Sequence, residues 1–235
     1  MSEFTNNKEY SQLKKNTVDS RNQLKDSKSV RFYNLESNGL RVMFVGNSIT
    51  LHGYLPSIGW HGEWGMAASK EENDYVHILM RNIREKHNDA AFCVCQVSAW
   101  ESNYKNGKEK YSVYESARDF AADIIVMRFV ENCAGKDFDG DVFKQEMSDL
   151  LDYLNPTGNA KIVMTTGFWH HPGDEFIIKH AKENNLPIAL LGDLGDDDKM
   201  MAKGLFEHSG VAMHPGDLGM ENIAARIFDK LVVYL

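Results

Sequence analysis

Short runs of apolar residues recur along the chain and predict the strands of a buried sheet. Four of the five runs are nearly continuous rather than alternating, which is typical of parallel strands covered on both faces. No internal repeat is visible among them. The predicted strands are 41–46, 91–98, 123–129, 160–166 and 187–192.

Apolar residues between these runs follow the spacing of amphipathic helices, with stripes at 76–83, 143–154 and 220–231. Asn73 or Asp74 is expected to cap the first of these helices, and Asp217 the last. Strands that alternate with helices imply right-handed crossovers. The pattern therefore predicts an α/β fold, a three-layer α/β/α sandwich around a mostly parallel five-stranded sheet.

The 235 residues, 43% of them apolar, are enough for one sizeable core. Residues 1–31 differ from the rest, because they hold seven Lys or Arg against four Asp or Glu and little apolar surface. We divide the chain into this polar N-terminal arm and one α/β domain, 32–235. The simpler interpretation of the arm is a solvated tail; the alternative is a segment packed on a neighbouring subunit of a homo-oligomer.

Charge and cysteine content narrow the function classes. A net charge of −8 argues against a nucleic-acid binder, which needs a basic face. No run of about 18 apolar residues exists, so no membrane partner is expected. The N-terminus lacks the apolar core of a secretory signal, which indicates a cytoplasmic location. Cys93, Cys95 and Cys133 are typical of buried thiols rather than of a disulfide or a metal site.

A serine follows the first predicted strand. The strand 41–46 ends at Gly46, Asn47 comes next, and Ser48 stands at the rim of the sheet. Ligands of open α/β sheets bind at this rim. A serine hydroxyl becomes a useful nucleophile only when a base removes its proton, and the acyl oxygen then needs hydrogen-bond donors.

Further motifs supply candidates for these roles. Asn132 lies in Arg128-Phe-Val-Glu-Asn-Cys133, after another buried strand, and His214 lies in Met213-His-Pro-Gly-Asp-Leu-Gly-Met220, before the last helix. With Gly46-Asn47-Ser48, their order resembles the SGNH (GDSL-type) hydrolase superfamily over residues 41–233. The resemblance implies a flavodoxin-like SGNH hydrolase fold for 32–235. It also implies Ser48 as nucleophile, His214 as general base and Asn132 as an oxyanion donor beside the Ser48 backbone N–H.

The sequence departs from the family pattern at two points. The glycine that donates a third oxyanion hydrogen bond is missing, so the backbone of Ala99 or Ser102 is the substitute. The aspartate three residues before the histidine is replaced by Val211. A backbone carbonyl, which would give a Ser–His dyad, is the first alternative for orienting His214. Two carboxylates are further alternatives, Glu207 and then Asp193.

Other residues are expected around the site because they follow strands or lie in the long segment after Ser48. Candidate oxyanion or substrate contacts are Ala99, Trp100, Glu101 and Glu131, the two glutamates having an ion pair with Arg128 as their alternative. Candidate pocket-wall residues are His52, Trp60, Trp64, Trp169 and His171. No metal is expected at His170, His171 and Asp174, where Asp174 more simply caps a helix, and no cofactor is expected.

These observations predict a serine esterase that cleaves a small ester through an acyl-enzyme on Ser48. The partner is a small-molecule or carbohydrate ester, and aromatic residues on the rim favour an O-acetyl group on a sugar. An acyltransferase with the same site is one alternative. A non-catalytic carbohydrate-binding protein on the same fold is the other, because of Val211 and the missing glycine.

Overall fold

The computed structural model describes residues 23–133 and 136–235. Six strands in these residues form one sheet in the order β1-β3-β2-β4-β5-β6. Strand β1 is antiparallel to β3, and all other neighbours are parallel. The strands are β1 (Val30–Tyr33), β2 (Arg41–Gly46), β3 (Ala91–Gln96), β4 (Ile124–Arg128), β5 (Lys161–Thr165) and β6 (Ile188–Ala189).

Helices cover both faces of the sheet. The helices are α1 (Tyr75–Arg84), α2 (Ser98–Glu101), α3 (Glu115–Asp119), α4 (Gly140–Leu154), α5 (Asp174–Glu183), α6 (Ser209–Ala212) and α7 (Asp217–Leu231). Short 3₁₀ segments lie at Pro56–Ile58, Glu71–Asn73, Gly192–Asp196, Asp198–Met200 and Val232–Tyr234, and a longer one, Tyr104–Tyr114, is kinked at Asn106. Helices α1 and α7 pack on one face, and α3, α4 and α5 pack on the other. The three-layer α/β/α sandwich is confirmed.

Strand β2 shows why the apolar runs are nearly continuous. Val42 and Phe44 pack toward α1 and α7, whereas Met43 and Val45 pack toward α4 and the segments around it. All four side chains have no exposed surface. Because successive side chains of a strand point to opposite faces, a sheet covered on both sides needs apolar residues at every position.

The sheet has one strand more than the five predicted. Val30 of β1 is buried and the next three residues are half-buried, so this edge strand lacks a continuous apolar run. The sheet therefore begins inside residues 1–31, at Val30. Residues 1–22 of the predicted arm lie outside the described residues. The strands predicted at 91–98 and 187–192 are shorter, because Ser98 begins α2 and the chain leaves the sheet after Ala189.

One predicted helix cap is present and two are not. Asp74 caps α1, and its side chain accepts a hydrogen bond from the His77 backbone N–H. Asp217 is the first residue of α7 rather than its cap; its carboxylate accepts instead from the backbone and hydroxyl of Ser69 and from Asn73. Asp174 is likewise the first residue of α5. In the described part of the chain, no helix is long and apolar enough to span a bilayer.

Candidate active site

Ser48 lies two residues after the end of β2, at the carboxyl edge of the sheet. A Cβ atom on Gly46 would lie 1.8 Å from Thr50 Oγ1 and 2.5 Å from the carbonyl oxygen of Arg128, so the turn needs glycine for close approach to β4. The Thr50 backbone N–H donates to the carbonyl oxygen of Asn47, which closes the turn around the serine. Ser48 is thereby held, partly exposed, at the predicted edge.

His214 is hydrogen-bonded to Ser48. Its Nε2 atom lies 2.8 Å from Ser48 Oγ, and its Nδ1 atom lies 2.7 Å from the carbonyl oxygen of Gly210 in α6. A carbonyl oxygen can only accept, so Nδ1 carries the proton and Nε2 accepts from the serine hydroxyl. This tautomer allows the imidazole to take the proton of Ser48.

The surroundings of His214 keep its ring neutral. Burial lowers the pKa of His214 to about 4, and the hydrogen bond to the Gly210 carbonyl opposes the shift only in part. The indole of Trp169 stands edge-on to the imidazole, with ring centroids 5.9 Å apart. At pH 7 the imidazole is therefore in the basic form that a general base requires.

Neither carboxylate considered for orienting His214 contacts it. Glu207 is exposed, and Asp193 forms an ion pair with Arg226, in which Nη2 donates to Oδ2 at 2.8 Å. The position of the family aspartate holds Val211, which has no exposed surface. The predictions for Glu207 and Asp193 are wrong, and the acceptor is the first alternative, a backbone carbonyl.

The long segment between Ser48 and α1 is anchored to the site. Met66 donates its backbone N–H to the carbonyl oxygen of Ser48 at 2.8 Å, and Gly65 donates to buried Asp74 at 2.9 Å. Trp60 is only 2% exposed and belongs to a small apolar cluster. That cluster consists of Trp60, Met66, Ala67, Ala202 and Val211. The prediction of Trp60 as a pocket-wall residue is wrong, because it supports the segment from within.

The other four predicted wall residues, Trp64, Trp169, His52 and His171, are partly exposed. Trp169 contacts the imidazole of His214 as described above. His52 Nδ1 lies 2.7 Å from the carbonyl oxygen of Gly53, and Trp64 donates to the carbonyl oxygen of Ala68 at 3.0 Å. Lining of a substrate pocket by these four side chains stays a prediction.

His171 connects two loops at the sheet edge. Its Nδ1 accepts from the Gly173 backbone N–H, so Nε2 carries the proton and donates to the carbonyl oxygen of Cys133 at 2.9 Å. Cys133 directly follows Asn132. The histidine thus ties the loop after β5 to the loop that carries the candidate oxyanion donor.

Asn132 is exposed, and its side chain is hydrogen-bonded to Glu101 beneath it. Asn132 Nδ2 donates to Glu101 Oε2 at 2.7 Å. Glu101 Oε1 accepts from the Val130 backbone N–H at 2.5 Å and from Asn47 Nδ2 at 3.1 Å. Glu101 itself has no exposed surface. A single buried carboxylate therefore contacts both the serine turn and the asparagine loop.

A buried ion pair lies beside this carboxylate. Arg128 has no exposed surface; its guanidinium donates to Glu131 and, through Nη1, to Asn47 Oδ1 at 2.8 Å. Glu131 also accepts from Asn47 Nδ2 at 2.5 Å and from the Phe168 backbone N–H at 2.8 Å. Burial works against ionisation of Glu131, but Arg128 and these donors outweigh it and lower the pKa of Glu131.

Two predicted substrate contacts are buried instead. Trp100 is 0% exposed and packs edge-on against Phe129, with ring centroids 5.4 Å apart. Glu101 is equally inaccessible. Of the two glutamates, Glu131 forms the ion pair with Arg128 and keeps only 9% of its side chain exposed. The helix α2 turns these side chains inward, so the predictions of Trp100 and Glu101 as substrate contacts are wrong. Ala99 is exposed at the start of α2, and its donor role stays a prediction.

Gly210 and Val130 contribute backbone hydrogen bonds to the site and were not predicted from the sequence. Gly210 acts through a carbonyl, which every residue possesses, so no sequence signal marks it. Val130 has a φ of 131°, a backbone conformation that β-branched residues rarely adopt. The ion pair of Arg128 with Glu131 confirms for Glu131 the alternative that was predicted for the two glutamates, because an arginine inside a buried strand needs a buried partner.

Within 23–133 and 136–235, no group of three or more His, Cys, Asp or Glu side chains is placed to hold a metal ion. His170 pairs with exposed Asp196 at 3.2 Å. Asp174 accepts from the backbone N–H groups of Gly167 and His171, both at 2.9 Å. These contacts account for the His-His-Pro-Gly-Asp motif as a loop that is held by one carboxylate.

No protein-family model and no curated protein matches the sequence. Solved structures do match. A putative GDSL-like lipase from Parabacteroides merdae aligns with a TM-score of 0.59 and 16% identity, over 83% of this chain and 96% of its own. A two-domain esterase active on acetylated mannans aligns with a TM-score of 0.54 and 16% identity, over 83% of this chain and 48% of its own.

A family two carbohydrate esterase from Clostridium thermocellum, solved in complex with cellohexaose, aligns with a TM-score of 0.54 and 14% identity. The alignment covers 83% of this chain and 64% of the esterase. The chain thus spans about half the length of the mannan esterase and less than two thirds of the length of the Clostridium esterase. At these identities the similarity is one of fold: the chain shares its α/β/α architecture with a GDSL-like lipase and with carbohydrate esterases.

Proposed function

We propose that this protein is a serine hydrolase that cleaves a small ester through an acyl-enzyme on Ser48. Ser48 Oγ attacks the acyl carbon while His214 Nε2 takes its proton, and the alcohol leaves with that proton. Water then attacks the acyl group, again with His214 as the base, and the acid is released. The Ser48 backbone N–H and the Asn132 amide stabilise the oxyanion in both steps.

The observation that carries this proposal is the hydrogen-bonded chain from Ser48 through His214 to the Gly210 carbonyl. The carbonyl holds the ring in the tautomer that makes Nε2 the acceptor, which is the task an aspartate performs in a triad. A neutral imidazole 2.8 Å from a serine hydroxyl at the carboxyl edge of a parallel sheet has the geometry for proton abstraction. The SGNH fold supports the same reaction class.

An acyl group on a carbohydrate is the substrate class that we propose. Two of the similar structures belong to esterases of carbohydrates, one active on acetylated mannans and one solved with cellohexaose. The partly exposed Trp169 beside His214 provides an aromatic surface of the kind that packs against sugar rings or acyl groups. The proposed reaction is therefore removal of O-acetyl groups from a sugar.

Hydrolysis of p-nitrophenyl acetate and of an acetylated oligosaccharide tests the proposal. Ser48→Ala and His214→Ala are each expected to lower kcat by about 10⁶-fold, because the two residues act as one unit. Ser116→Ala, on helix α3, which leads to the amino end of β4 and so away from the carboxyl edge, is the matched control and should keep the wild-type rate. Equal rates in wild type and Ser48→Ala would contradict the proposal. Transfer of acetyl to an added acceptor sugar would assign an acyltransferase to the same site.

A further inference from the structure

Glu101 is a fully buried carboxylate at the end of α2 that accepts hydrogen bonds from three groups near the proposed site. We propose that Glu101 is a positioning residue that aims the Asn132 amide at the oxyanion, acting in its ionised form. The inference rests on the proposed function, because it assigns Asn132 a role in the reaction. It explains why a carboxylate is buried where no substrate can reach it.

The hydrogen bonds of Glu101 join the elements that carry the reacting groups. Oε1 accepts from Asn47, which directly precedes Ser48, and from the Val130 backbone N–H after β4. Oε2 accepts from Asn132 at 2.7 Å. Because one carboxylate spans the serine turn and the asparagine loop, it sets the position of one group relative to the other.

The backbone at Val130 is held in an uncommon conformation at this contact. Its φ of 131° is unfavourable for a β-branched residue, and such conformations persist only where surrounding contacts enforce them. Its N–H donates to Glu101 at 2.5 Å, and its Cγ2 atom would lie 2.5 Å from a Cβ atom built on Gly173. Glu101 and the packing against Gly173 therefore hold the loop in the shape that presents Asn132.

The donor pattern requires an ionised carboxylate. All three partners donate hydrogen bonds to Glu101 through N–H groups. A proton on either carboxylate oxygen would therefore find no acceptor among them. One N–H of the Asn132 amide points to Glu101 and leaves the other for the oxyanion. A protonated Glu101 would need the Asn132 Oδ1 as acceptor, which requires the amide to turn over and removes the oxyanion donor.

The charged and titratable groups around Glu101 come from several elements. Glu131 and Arg128 face it from the end of β4, Cys133 from the following loop, and Tyr114 from the 3₁₀ segment before α3. Burial first, and then the charge of Glu131, raise the pKa of Glu101 to about 7. Both protonation states are thus populated near neutral pH, and the rate of the reaction reports which of them is active.

Glu101→Gln is the first test, with p-nitrophenyl acetate as the probe. In either orientation of the glutamine amide, its NH₂ group replaces an oxygen that accepts at least one of the three N–H groups, so at least one of these hydrogen bonds is lost. We expect kcat to fall by about 10²-fold, the effect of losing one oxyanion donor, while KM changes little. Asp123→Ala, which removes a hydrogen bond to the Arg41 backbone N–H at the opposite, amino edge of the sheet, is the control for reduced stability and should keep the wild-type kcat.

The pH dependence of kcat separates positioning from a purely structural role. The kcat of wild type should fall as the pH is lowered through about 7, because Glu101 then takes up a proton. Glu101→Gln and Asn132→Ala should lack this acidic limb of the pH profile and keep a low, constant kcat through neutral pH. A wild-type rate that is unchanged across this range would overturn the inference, as would a limb that survives in Asn132→Ala. The latter variant keeps the test decisive if Glu101→Gln does not fold. Absence of Ser48-dependent turnover in wild type would instead contradict the proposed function itself.

Discussion

Substituting Val211 by aspartate restores the carboxylate of the family pattern and asks whether His214 can use it. Val211 has no exposed surface and packs with Trp60, Met66 and Ala202. The imidazole already has its acceptor in the Gly210 carbonyl, 2.7 Å from Nδ1. We therefore expect Val211→Asp to destabilise the fold without raising the rate.

The magnitude follows from what the cluster would lose. Removing a fully buried valine from its apolar contacts costs about 1.5 kcal/mol, the lower end for large aliphatic side chains. Placing a polar group there without a hydrogen-bond partner costs roughly a further 1–3 kcal/mol. The sum of about 2.5–4.5 kcal/mol is a large share of a stability that is typically about 5–15 kcal/mol.

Urea unfolding, followed by tryptophan fluorescence, measures this loss. Val211→Thr keeps the shape of the side chain and replaces one methyl group by a hydroxyl, so it should cost about 1–3 kcal/mol. Burial in an apolar cluster raises the pKa of the new carboxylate, so the penalty of Val211→Asp should be smaller at pH 4, where about half of the unfolded chains also carry the proton. Unchanged stability together with a faster esterase rate in Val211→Asp would refute this reasoning, since the carboxylate would then reach His214.

Two further predictions concern the base and the serine turn. Because burial lowers the pKa of His214 to about 4 from an ordinary 6.5, only the unfolded chain takes up this proton between those pH values. Urea unfolding of wild type and His214→Gln at pH 7 and at pH 4 measures this effect. From pH 7 to pH 4, wild type should lose about 2–3 kcal/mol more unfolding free energy than His214→Gln. If both proteins lose the same amount, the pKa of His214 is not lowered by folding. Gly46→Ala should lower Tm by several degrees and abolish activity, because its Cβ atom would lie 1.8 Å from Thr50 Oγ1. Gly53→Ala, whose Cβ atom would have nothing within 4 Å, is the control and should leave both unchanged.

The layers of the fold were readable from the sequence because burial on both faces leaves a continuous apolar signal. Strand β2 is the clearest case, since all of its residues are buried. Strand β1 carries no such signal, because a four-residue edge strand with one buried side chain resembles the polar segment around it. The pairing of β1 with β3 is a long-range contact, and the amino-acid preferences of residues 30–33 do not predict it.

The candidate site was only partly predictable, for a similar reason. Ser48, Asn132 and His214 are marked by residue type and by their order along the chain. The acceptor for His214 is a backbone carbonyl, and sequence patterns of side chains do not register it. The roles of Trp100 and Glu101 depend on the direction in which the four-residue helix α2 faces, which four residues do not specify by periodicity.

Treatment with a fluorophosphonate, followed by peptide mass spectrometry, tests the central claim most directly. This reagent forms a stable adduct only with a serine whose hydroxyl is activated by a base. We predict one adduct, on Ser48, that forms in wild type, forms much more slowly in His214→Ala and does not form in Ser48→Ala. A wild-type protein that is folded and stays unlabelled at Ser48 would contradict the claim and would leave a binding protein with the fold of a hydrolase.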